Sequence, residues 1–119
     1  MELTLQRIYN MASSLRKLIQ QEVPVKVAYQ LAKNVRVIDD EYQLIEKQRA
    51  DLIRKHGEVQ EDGSTRVADE NVAAFTKEMA EYLRTSTEVD VKSVSISDLG
   101  DNCKLTPQEV IDLEGLLVE

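Results

Sequence analysis

A chain of 119 residues, 42% hydrophobic and 31% charged, is one domain's worth of sequence with enough apolar content for a modest core. Aromatic residues make up 4% of it and Trp is absent, so that core is aliphatic. A net charge of −7 disfavours direct contact with phosphate backbones, and the basic residues look dispersed, with Arg16–Lys17 and Arg54–Lys55 as isolated doublets.

The single cysteine, Cys103, excludes an internal disulfide and fits a reducing cytoplasm. The N-terminus lacks the basic and apolar regions of a signal peptide, and no apolar run approaches the roughly 20 residues needed to span a bilayer. The expectation is a soluble cytosolic protein, one helical domain over residues 1–119.

Met1 to Leu5 alternates, with Leu3 and Leu5 on one side, as a short edge strand or the frayed start of a helix. From about Arg7 to Gln21, Ile8, Met11, Leu15, Leu18 and Ile19 form a helical stripe, weakened in its middle by Ser13 and Ser14. Glu22-Val23-Pro24 ends it, because a residue before proline is pushed out of helical geometry. The next helix follows within two or three residues, so the two fold back as a helical hairpin.

Pro24 to His56 reads as one uninterrupted helix, the spine of the molecule. Leu31, Val35, Ile38, Tyr42, Ile45 and Leu52 follow the a/d rhythm of a coiled coil, broken by Arg49. Pro24 suits the first turn, and Gly57 stands where a left-handed C-cap is expected. The helix is roughly 48 Å long at 1.5 Å per residue. Such a length needs apolar surface laid along it, since propensity alone does not sustain it. Asp51 with Lys55 and Glu46 with Arg49 are candidate surface pairs. Arg49 reads either as a snorkelling side chain or as a buried charge paired with Glu78 or Glu81.

Asp62-Gly63 between Val59 and Val67 signals a type I′ turn, in a small exposed hairpin or an ordered loop. Asp69 is a suitable N-cap for the next helix, whose stripe is Val72, Phe75, Met79, Tyr82 and Leu83, ending near Thr85-Ser86-Thr87. This helix and the first together nearly match the length of the spine. The simplest geometry has them tiling it end to end. Val89 and Val91 alternate, as do Val94 and Ile96, but the frame slips between Val91 and Val94. That predicts a strand over about 88–96 with a bulge at Lys92-Ser93. Thr106-Pro107-Gln108-Glu109 is a capping box that opens a last helix running through Val118, apolar on nearly all sides, with Gly115 inside it. So much terminal apolar surface needs the spine or another chain.

The residue types do not assemble a catalytic or metal constellation. His56, the only histidine, reads as a helix-end residue facing the C-terminal dipole. Cys103 lacks a nearby base, and Asp98, Asp101 and Asn102 read as turn formers rather than a calcium loop. Asp39-Asp40-Glu41 reads as a solvated helix face. No cofactor is expected. Val27, Val37, Leu44 and Ile53 lie off the seam. They either pack under neighbouring elements or form a second face for a partner or self-association. Val37, Leu44 and Ile53, with Val110, Ile111, Leu113, Leu116 and Leu117 of the last helix, are the candidate partner-binding residues.

The stretch Val23-Pro24-Val25-Lys26-Val27-Ala28-Tyr29-Gln30-Leu31-Ala32-Lys33 resembles a family of small proteins encoded by tailed bacteriophages. The likeness continues through Leu52-Ile53-Arg54-Lys55-His56-Gly57, the Asp62-Gly63 turn, Phe75 and Glu78 to Leu83, Glu88-Val89, Ile96-Ser97-Asp98-Leu99, and Leu105-Thr106-Pro107-Gln108-Glu109. It spans nearly the whole chain as an ordered series of motifs, none of them catalytic, so no residue role carries over. The resemblance implies a phage origin and a place in the host cytoplasm or the virion. It also implies either a virion or assembly role or a host-directed one. The expected fold is mainly α with minor β. The expected function is non-enzymatic contact with a phage or host protein, and the alternative is an acidic inhibitor of a host defence or regulatory protein.

Overall fold

The computed structural model describes residues 1–119, and its central element is α2, an unbroken helix over Val25–His56. Val27, Leu31, Asn34, Ile38, Ile45 and Leu52 form its buried stripe, while Val35 and Tyr42 are half-buried beside it. The seam is therefore displaced by one residue near Asn34 relative to the apolar spacing, because a buried amide takes a place the pattern assigned to valine. Gly57 closes α2 with φ −104°, which is extended rather than left-handed. Its need for glycine is steric: a Cβ there would lie 2.3 Å from the Ile53 carbonyl oxygen and 2.9 Å from that of Arg66.

Met1 to Leu5 contains both of its readings. β1 covers Glu2–Thr4 and α1 begins at once, covering Leu5–Leu18. Thr4 caps α1, its Oγ1 accepting the Arg7 N–H at 3.2 Å. α1 lies antiparallel on the first half of α2, with Ile8, Met11, Leu15 and Leu18 fully buried. Tyr9 stacks on Tyr42 with ring centroids 5.4 Å apart, and Arg16 both pairs with Asp39 and lies over the Tyr42 ring.

α3, Val72–Leu83, runs back along the second half of α2. It is entered through a single 3₁₀ turn, Asp69–Asn71, so Asp69 opens that turn and does not cap the helix. Asn71 occupies the cap position, and its side chain instead donates to the His56 carbonyl at 3.1 Å. None of Val72, Phe75, Met79, Tyr82 and Leu83 is fully buried, because α3 packs against α2 with no layer above it. β4, Ser86–Glu88, then pairs antiparallel with β1, Leu3 opposite Thr87. This ribbon ties the start of α1 to the end of α3. The two helices tile the spine as their lengths require.

Beyond α2, β2 (Gly57–Val59) and β3 (Thr65–Val67) make the expected hairpin. The turn is different. Only Gly63 has positive φ, +86°, and the Gln60 carbonyl accepts the Gly63 N–H at 3.0 Å while the Gln60 N–H donates to Ser64. That is a three-residue loop with glycine in the left-handed position, not a two-residue type I′ turn, which requires positive φ at Asp62 as well.

The strand expected over 88–96 is interrupted. After β4 the chain is irregular until β5, Val94–Ser95, and the interruption is held by Asn34. Its Oδ1 accepts the Lys92 N–H at 3.1 Å and its Nδ2 donates to the Lys92 carbonyl at 2.8 Å. The amide replaces a strand partner, and Val89, Val91 and Val94 all turn into the core.

The C-terminal helix is shorter than its apolar run. Thr106 caps α4, Pro107–Asp112, accepting the Glu109 N–H at 3.2 Å. Gly115, at φ +93°, lies in a left-handed turn after the helix. The Leu113 carbonyl accepts both Leu116 and Leu117 N–H at 2.9 Å, and β6, Leu117–Val118, pairs parallel with β5. The end of the chain is thereby sewn into the core.

Candidate protein-interaction surface

The predicted partner-binding residues separate into two groups. Leu113, Leu116 and Leu117 are buried in the single 18-residue core cluster, so they are structural in this chain and unavailable to a partner. The broken helix is the reason: the turn at Gly115 folds the last residues inward. Val110 and Ile111 remain on the outer side of α4, Ile111 at 62% exposure. Leu44 is 59% exposed on α2, Val37 packs partly against the core, and Ile53 is half-buried near the hairpin. Val27, also off the expected seam, belongs to the core.

A different feature unites the free surface. α1 and α3 sheathe α2 on one side only. At 100° per residue, positions 25, 29, 36, 40, 43, 47 and 54 point away from the buried stripe. All seven are exposed, Val25 at 86% and Tyr29 at 67%.

Charge is sorted by the same geometry. α2 holds seven of the chain's 15 Lys and Arg but five of its 22 Asp and Glu, a net of +2 that leaves −9 on the rest of the chain. All seven basic side chains are exposed, whereas Asp40 is the only exposed acid of α2. Asp39, Glu41, Glu46 and Asp51 sit half-buried along its flanks. Arg49 is exposed and pairs with Glu46 at 3.9 Å, which removes the buried-charge reading with Glu78 or Glu81. Arg54 pairs with Asp51, and Lys55 with Glu78 at 3.0 Å rather than with Asp51. Lys26, Lys33, Arg36 and Lys47 form no ion pair within 4.0 Å. Lys33 lies over the Tyr29 ring, 4.7 Å from its centroid.

Adjacency in sequence does not show this set, because Lys26, Lys33, Arg36, Lys47 and Arg54 recur at 7, 3, 11 and 7 residues and come near one another only on a helix.

Elsewhere the titratable groups make local contacts. His56 sits at the foot of α3, its ring edge against Phe75 and its Nε2 3.2 Å from Glu78 Oε1. The Lys55 ammonium beside Glu78 holds that carboxyl below its ordinary range. Burial, helped by Glu109, pushes the Cys103 thiol up, the wrong direction for a nucleophile. Burial raises the Tyr9 hydroxyl, with Glu46 adding to the effect. No three His, Cys, Asp or Glu side chains group as metal ligands would. The largest groove, about 470 Å³, lies between the start of α2 and residues 93–100 and is open, with mostly polar residue types along it. Its serines are already engaged, Ser93 with the Gly115 carbonyl and Ser95 with Ser97.

No helix is long and apolar enough to cross a membrane. Comparison with family models, with curated proteins and with solved structures gives no match.

Proposed function

We propose that this chain is a non-enzymatic interaction protein of a tailed phage, a virion-associated or assembly component whose long helix is a rigid platform for another protein. The observation that carries this reading is the one-sided sheath: α2 leaves an entire face uncovered along its length, while its opposite face is locked into the core. A helix held rigid on one side presents contacts at fixed spacing and loses little conformational entropy on binding. Exposed Leu44, Val110 and Ile111 add apolar surface for the same purpose. Mass spectrometry of purified virions tests the virion role. Stoichiometric recovery of the chain supports it, and absence from both mature particles and assembly intermediates removes it.

The second reading is an acidic inhibitor directed at a host defence or regulatory protein. The −9 carried outside α2 favours it, since such a surface complements a basic target. A salt-sensitive complex with one host protein, reconstituted from purified components, supports this reading. Recovery of the chain only in particles removes it.

A further inference from the structure

We infer that the outer face of α2 docks an acidic helix of a protein partner, laid lengthwise along the rod. This rests on the interaction-protein reading above and names the chemistry of the partner. In a chain of net charge −7, the outward positions of α2 hold Arg36, Lys47 and Arg54 against one acid, Asp40, with Lys26 and Lys33 at their edge, and Lys26, Lys33, Arg36 and Lys47 form no ion pair of their own. Unpaired cations held at fixed positions on a rigid helix select a ligand with carboxylates at comparable spacing. Val25 and Tyr29 lie among them, well exposed, and supply the apolar contact that charge alone does not.

Two other occupants fit less well. A second copy docked symmetrically through this face would bring basic stripe against basic stripe, and like charges in register repel. A nucleic-acid duplex, whose major groove alone is about 12 Å across, is broader than one helix of about 10 Å. Its phosphates would overhang the half-buried carboxylates of Asp39, Glu41, Glu46 and Asp51 on the flanks. A single acidic helix is narrow enough to stay on the stripe.

The test uses the full chain and a fluorescent Glu-rich amphipathic peptide of about 30 residues, which matches the rod at 1.5 Å per residue. Fluorescence anisotropy should show saturable binding that weakens as salt is raised. The triple variant Lys33→Glu, Arg36→Glu, Lys47→Glu should bind at least about tenfold more weakly while keeping its circular dichroism spectrum. A control that reverses Lys77, Arg84 and Lys104 should bind as the unaltered chain does. Absence of saturable binding overturns the inference. So does equal weakening in the control, a duplex oligonucleotide that binds this face more tightly than the peptide, or a dimer that the triple variant abolishes. Virions that incorporate the triple variant normally remove this inference and leave the proposed function standing; virions that lack even the unaltered chain remove the virion role.

Discussion

Asn34 is the only polar side chain of α2 that is fully buried, and it is satisfied on both ends of its amide. Gln30 donates to its Oδ1 at 2.9 Å, alongside the two bonds with the Lys92 backbone. Asn34→Ala leaves the Lys92 N–H and carbonyl without partners, so we expect a loss of about 2–4 kcal/mol in urea unfolding. Asn34→Leu should not restore it, since added apolar volume leaves the same backbone groups unpaired. The apolar spacing pointed to Val35 and passed over Asn34, because hydrophobic periodicity carries no signal for an amide that substitutes for a strand.

Glu78 yields a pH prediction at the same scale. Its folded carboxyl titrates below its unfolded value, chiefly because of Lys55, so the charged form is favoured by folding. That contribution is present above the unfolded value and fades as pH falls through the folded one. Thermal unfolding of the unaltered chain and Glu78→Gln should differ at neutral pH, and the gap should close as pH drops below about 4.

Among the elements, the hairpin and the C-terminal plug are the least local. Gly57→Ala forces a methyl group against two backbone carbonyls that cannot move independently, at the junction of α2 and β2. A cost of about 1–3 kcal/mol is expected, read as a lowered melting temperature with hairpin amides exchanging faster. Leu116→Ala tests the plug. Leu116 is 1% exposed, and a truncation of this kind in a core costs about 2–5 kcal/mol. If residues 113–119 were a free tail, the substitution would leave stability unchanged. The capping box at Thr106 was readable as a helix start, whereas the helix end was not. Gly115 looked like a tolerated interior glycine until its left-handed conformation and the pairing of β6 with β5 gave it a role.

At the scale of the whole molecule, the rod governs shape. The structure measures 50 × 30 × 23 Å, with a radius of gyration of 17.2 Å. A compact domain of this length would have about 13.5 Å. Small-angle scattering of the monomer should give the larger value and an elongated distance distribution. Only 22 of 119 residues are buried, as a thin sheath on a long helix requires.

By itself the sequence determined the mainly α class, the length of α2, the helical hairpin and the tiling of the spine by two shorter helices. Each follows from helical periodicity, from proline and glycine punctuation, or from 1.5 Å per residue, and all of these are local. Tertiary structure alone decided which apolar residues were spent in the core and which face of α2 was left bare. It also decided that the basic residues of α2 lie on its uncovered and peripheral surfaces. Those outcomes depend on contacts between segments as far apart as Asn34 and Lys92, or Arg7 and Glu114, and such pairings leave no periodic trace in the chain.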